Sequence, residues 1–200
     1  GNEIRTHPLD DSYHRARSPN WRKVKTPFLS AANWGGQGLH PRGNFEGFVR
    51  AASKDKWLEA HGIEHWTHFY TDYGRELQLR FFDHFLHGKN NGWNRQPRVL
   101  MQVRHIGRFV ERAESEWPLQ HTKWTRLYLQ PDGALASGHR KANAQLQFDA
   151  MGDGVTFLTP PLEQETEITG PSALKLFVSS STRDADIFAI LRVFAPDLKE

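Results

Sequence analysis

A chain of 200 residues with 38% hydrophobic and 24% charged residues can bury a sizeable core and is too apolar to be a disordered segment. Its net charge of +3 is spread out, and the one dense basic cluster, HRARSPNWRKVK, is interrupted by Ser18, Pro19 and Trp21, so neither a nucleic-acid surface nor a nucleic-acid partner is expected. The absence of cysteine excludes disulfides, thiolate metal sites and a cysteine nucleophile within the chain. No apolar run reaches the roughly 18 residues that a bilayer span requires, and no signal-peptide pattern opens the sequence, so no membrane association and a cytoplasmic location are expected.

In chain order, residues 1–26 are polar and carry Pro8 and Pro19, which predicts loop with a short helix near 10–17. PFLSAA (27–32) is a short apolar run between turn signals, the pattern of a buried parallel strand. The glycine-rich NWGGQGLHPRG follows, then GNFEGFVRAAS, with Phe45, Phe48 and Val49 on one helical face. DKWLEAHG (55–62) reads as a second strand. In GRELQLRFFDHFLHG (74–88), Leu77, Phe81, Phe82, Phe85 and Leu86 give a helical stripe, and Gly88 stands where a C-cap belongs. Strand, loop and helix twice over is an α/β signature.

After the turn-rich KNNGWNRQP the pattern changes to short β-like runs: RVLMQVR, TRLYLQ, AQLQFD, VTFLT, TEITG, ALKLFVSSS and DIFAILRVF, with turn chemistry at PDG and GDG. These runs predict a β-sandwich. The chain opens without Met and closes on a strongly apolar strand, so both ends read as cut from a longer protein. A sandwich cut in this way would expose a raw strand edge, and association, including a homo-oligomer, is expected of it.

The glycine loop does not read as a phosphate cradle. Gly36 and Gly38 give G-x-G, but the third glycine position holds Pro41 and no Gly-Lys-Ser/Thr follows. The nucleophile elbow G-x-S-x-G is also missing: Gly170-Pro171-Ser172 comes nearest, and Ser30 sits inside an apolar strand. His61, His65 and His68 in HGIEHWTHFY follow the second strand, where α/β enzymes place their chemistry, and histidine is the usual general base near neutral pH. Their H-x3-H-x2-H spacing would converge on a metal only on a helix. Gly62 and the aromatics Trp66, Phe69 and Tyr70 disfavour one, so no metal or other cofactor is expected. Asp184 and Asp186 in STRDADI alternate on one face of a strand entry, where calcium or a sugar hydroxyl would fit, although a polar turn is the simpler reading.

Taken together, PFLSAANWGGQGLHPRGNFEGF, KWLEAHG, RFFDHFLHG and PPLEQETEITGPSALKLFVSSSTRDADIFAILRVF resemble the cocaine-esterase/X-Pro dipeptidyl-peptidase (CocE/NonD) family of α/β-hydrolases, in the family's order across nearly the whole chain. The resemblance implies the C-terminal part of an α/β-hydrolase domain over 1–95, then the N-terminal part of an all-β jelly-roll sandwich, of the galactose-binding-like kind, over 96–200. It also implies hydrolysis of a small-molecule ester or amide through a Ser-His-acid triad whose serine lies upstream, which leaves this chain inactive alone. Trp34, Gly38, Leu39 and His40 match the family's acid-bearing W-x-D-x-G-L-H pattern, but the acid position falls on Gly36. Asp55, Glu59 and Glu64 are the substitutes considered for it. HWTH resembles the family's GPW[ST]H and selects His68, the first choice as base; the KW…HG…W…Y spacing selects His61, the second, and His65 comes third. The alternative reading is a non-catalytic, carbohydrate-type β-sandwich binding module attached to a remnant α/β segment.

Overall fold

The computed structural model describes residues 2–36, 40–139, 144–195 and 197. Gly38 and Leu39 of the glycine-rich loop therefore lie outside the described residues. The chain divides into two units, Gly1–Gln120 and His121–Glu200.

The first unit opens with helices α1 (Asn2–Thr6) and α2 (Ser12–Arg17). Asp11 caps α2 by accepting from the amides of Tyr13 and His14. Strand β1 (Phe28–Asn33) runs into a 3-10 turn at Trp34–Gly36 and then α3 (Pro41–Arg50), which has proline in its first turn, where no amide partner is lost. Lys56 Nζ donates to the carbonyls of Val49 (3.2 Å) and Ala51 (2.8 Å), placing a cation at the end of α3. Next come β2 (Lys56–His61), α4 (His65–Phe69) and α5 (Asp72–His87). Thr71 Oγ1 caps α5 by accepting from the Gly74 amide at 3.2 Å, and Gly88 ends it in the left-handed conformation, φ 64°. Strands β3 (Val99–His105) and β4 (Arg108–Glu114) follow.

These strands form one sheet in the order β1-β2-β3-β4, parallel from β1 to β3 and antiparallel between β3 and β4. Asn33 pairs with His61, so the carboxyl ends of the first two strands stand side by side. Alternation along β2 divides its residues between two cores. Leu58 and Ala60 pack with Ala32, Phe48, Val99 and Met101 on one face. Trp57 packs with Leu77, Phe81 and Trp93 on the other. Glu59 and His61 share the parity of Trp57 and so project toward the α5 side. Every β2 residue after Lys56 is buried, the polar Glu59 and His61 included.

Three expectations need correction here. The α5 stripe is narrower than its periodicity suggests: Leu77 and Phe81 are buried and Phe85 packs against them, whereas Phe82 and Leu86 are exposed. On α3, Phe48 is buried but Val49 is exposed. The loop after β2 also contains a short helix, α4, despite Gly62 and the aromatics, because Glu64 lets the chain turn into it with extended backbone, φ −85° and ψ 143°.

The second unit contains the hairpin β5 (Tyr128–Leu129) and β6 (Leu135–Ala136) around the PDG turn. The Gln130 amide donates to the Ala134 carbonyl at 2.8 Å, and Gly133 takes φ 81°. An isolated parallel bridge joins Ala134 to Leu158. Among the described residues the runs from 144 to 194 form no strand. Their periodicity specifies a face, but a strand also needs an adjacent edge to pair with. Phe177 and Phe188 of these runs stand 92% and 87% exposed. The overall architecture is mixed α/β with two small sheets.

Candidate functional site

Parallel pairing places the last residue of β1 beside the last residue of β2, and three side chains converge at that edge: Glu59, His61 and His68. The i,i+2 spacing of Glu59 and His61 on β2 puts both on one face, where each side chain is only 5% exposed. Their closest approach is 2.8 Å, between Glu59 Oε2 and His61 Nδ1, with the Nδ1–H as donor to the carboxylate. His61 Nε2 is buried and, among the described residues, has no hydrogen-bond partner. His68 arrives from α4 and stacks on His61 with ring centroids 4.1 Å apart and planes 16° from parallel. Its Nε2 lies 3.7 Å from Glu59 Oε1, beyond hydrogen-bond range. Glu59 therefore bonds His61 and not His68. The side chain of His65 lies outside the described residues.

Tyr73, on α5, closes the site from the other side, its ring tilted against His68 at 4.8 Å. Burial, followed by the charges of Glu59 and Glu111, pushes its phenol well above the ordinary tyrosine range, so it stays protonated. His68 is held below its ordinary value of 6.5, first by burial and then by repulsion from His61, with Glu59 opposing. The folded state thus favours neutral His68. This contribution to stability is present above the unfolded-state value and is lost as the pH falls through it, because the unfolded chain then binds the extra proton. In urea unfolding, wild type should accordingly lose stability relative to His68→Gln as the pH falls from about 7.5 to about 5. A stability difference that stays constant over that interval would remove His68 as the titrating group.

The loop after β2 is fastened to the end of β1. Asn33, buried at the strand terminus, donates its side-chain amide to the Ile63 carbonyl. Ile63 takes φ 50°, a left-handed conformation that a β-branched residue adopts only when its surroundings hold it there. Gly35 makes the approach feasible, since a Cβ at that position would stand 2.5 Å from the Ile63 carbonyl oxygen. On the opposite side, the Gly62 amide donates to Gln102 Oε1 at 2.9 Å, and Trp34 Nε1 donates to the Gln102 carbonyl at 2.7 Å. Sequence reasoning missed Asn33 and Gln102. Their roles depend on strand register, and the only sequence signal was a polar residue closing an apolar strand.

Gly36 brings no acid to the site, and a Cβ there would stand 2.8 Å from Asn33 Oδ1. Of the three candidate substitutes for the acid, Glu59 joins the histidines. Asp55 instead leads into β2, its carbonyl accepting from the Phe28 amide, and Glu64 is exposed and accepts from Thr67 Oγ1 at 3.0 Å. Among the described residues, Glu59, His61 and His68 form the cluster with three candidate metal-ligating groups, all within 4.8 Å of one another. The stacking works against joint coordination. Imidazole lone pairs lie in the ring plane, and two nearly parallel rings cannot both aim at one ion about 2 Å from each nitrogen. Asp184 and Asp186 belong to no such cluster and are exposed.

A parallel α/β layer with a buried carboxylate–histidine pair at the carboxyl end of a strand is the arrangement of an α/β-hydrolase-like domain. Residues 91–200 match the family model for the X-Pro dipeptidyl-peptidase C-terminal non-catalytic domain. A CocE/NonD family hydrolase from Staphylococcus aureus superposes with a TM-score of 0.64 at 37% identity, over 68% of this chain and 25% of its own. A second structure of the hydrolase gives 0.65 at the same identity and coverage. Cocaine esterase from Rhodococcus sp. (strain MB1 Bresler) is 27% identical over 60% of this chain and 28% of its own length. The chain belongs to the CocE/NonD family, with the homology of a hydrolase superfamily, and spans about a quarter of the length of these relatives. Among the described residues no helix is long and apolar enough to cross a membrane.

Proposed function

We propose that this chain is the base-bearing part of a serine hydrolase that cleaves a small-molecule ester or amide by acyl transfer to water. The observation that carries this reading is the buried His61, tied through Nδ1 to Glu59, with Nε2 left without a partner among the described residues. A buried polar atom without a partner is costly, and a serine hydroxyl brought to it from a segment outside these 200 residues would supply one. In the reaction, the serine Oγ attacks the substrate carbonyl carbon while its proton passes to His61 Nε2. That proton then goes to the departing alcohol or amine. Water, deprotonated by the same nitrogen, attacks the acyl-enzyme and releases the carboxylic acid, restoring the serine.

His61 is favoured as base over His68, whose nearest carboxylate oxygen is 3.7 Å away. Residues 91–200 are proposed as the non-catalytic part of the protein, within which the runs from 144 to 194 would form the sandwich that their strand periodicity predicts. Their family match and the exposed Phe177 and Phe188 support that assignment.

The test is to treat the full-length protein with a fluorophosphonate and map the adduct by peptide mass spectrometry. One labelled serine outside these 200 residues is expected. Absence of labelling, or labelling undiminished in both His61→Ala and His68→Ala, would defeat the reading.

A further inference from the structure

A base works only if its proton sits on the correct nitrogen, which makes the group on His61 Nδ1 decisive. Among the described residues, Glu59 is the carboxylate within ion-pair range of either histidine, at 2.8 Å from His61 and 3.7 Å from His68. The preceding strand's loop has no side chain to offer at Gly36, and the polar group beside it, Asn33, is committed to the Ile63 carbonyl. The geometry points to Glu59 as the positioning acid of the site, delivered from the same strand as the base and two residues before it. This rests on the hydrolase reading above.

The physical case has three parts. Adjacent even-spaced residues of a strand project together, so the Glu59–His61 pair is fixed by β2 itself and needs no loop to close. β2 is hydrogen-bonded on both sides, to β1 through Ala60 and His61 and to β3 through Leu58, Glu59 and Ala60, which holds both side chains rigidly. The carboxylate is 5% exposed, so water does not compete for the Nδ1–H. With Glu59 accepting from Nδ1–H, the Nε2 lone pair is free to take a proton, and the imidazolium formed in the reaction gains a buried counter-charge. His68, stacked on the same ring at 4.1 Å, limits rotation of His61 away from this pose.

The first measurement is a long-range 15N–1H correlation spectrum of the wild-type full-length protein labelled with 15N-histidine, recorded at mildly alkaline pH. The expected tautomer carries its proton on Nδ1. A proton on Nε2, with Nδ1 unprotonated, would overturn the assignment without any variant being made. The second is steady-state hydrolysis of p-nitrophenyl butyrate by the full-length protein and by Glu59→Gln. The glutamine amide can present N–H to Nδ1 and so favour the wrong tautomer, and kcat should fall by about 10^3- to 10^4-fold with KM little changed. A folded Glu59→Gln protein, checked by circular dichroism, with kcat within about threefold of wild type would overturn the proposal. The third is titration with Zn2+ alone. Sub-micromolar binding that disappears in Glu59→Gln would make the cluster a metal site instead. If fluorophosphonate labels the wild-type protein but the tautomer is wrong, Glu59 loses its role and the hydrolase reading stands. If the tautomer is right and nothing is labelled, the hydrolase reading falls.

Discussion

His61→Gln in the full-length protein is expected to lower kcat for ester hydrolysis by on the order of 10^4- to 10^6-fold, the range seen when the base of a serine triad is removed. Glutamine keeps most of the volume and polarity of the site, so the Glu59 carboxylate still has a donor nearby and the fold should survive. What the proposed mechanism would lose is the nitrogen that accepts the serine proton, and no other group in the cluster could take over without moving. His68 Nε2 is 3.7 Å from Glu59 and its ring is parallel to that of His61, so it occupies the adjoining layer rather than the same position. His68→Gln should therefore retain most of the activity. Measured rates in which His68→Gln is the crippled variant and His61→Gln the active one would reverse the assignment of the base.

The largest stability effect is expected at Trp93, whose side chain is fully buried in the layer between β2 and α5. Its ring meets Trp57 at 5.3 Å and Phe81 at 5.2 Å, both edge-on, and Phe85 extends the group through Phe81 at 4.9 Å. Trp93→Ala should cost about 3–5 kcal/mol by urea unfolding followed with far-UV circular dichroism. Against a typical domain stability of about 5–15 kcal/mol, that loss loosens the support under the face of β2 that carries Glu59 and His61. A cost below about 1 kcal/mol would mean that this aromatic layer collapses around the gap and is not what holds the strand.

The elements around the site were legible where periodicity and end signals agree. β1 is a short apolar run bounded by turn residues, β2 follows as a second strand segment, and α5 combines a helical apolar stripe with a C-terminal glycine at φ 64°. The width of the α5 stripe was not legible, because an aromatic residue looks the same in a sequence whether it faces the sheet, as Phe81 does, or solvent, as Phe82 does. The β-like runs beyond residue 140 show the opposite case. Their alternation is clear, yet among the described residues they form no ladder, since pairing depends on a neighbouring edge that no local pattern encodes.

For the site, the sequence by itself determined that histidines cluster after the second strand and that Glu59 stands two residues before His61, while the resemblance placed Gly36 at the family's acid position. Those are properties of residue type and spacing along one strand. Tertiary structure decided which groups meet. Parallel register set Asn33 beside His61, where its amide reaches Ile63, and α4 laid His68 flat on the neighbouring imidazole. The choice of Glu59 over Asp55 and Glu64, and of His61 over His68, rests on distances between side chains that only the folded packing fixes.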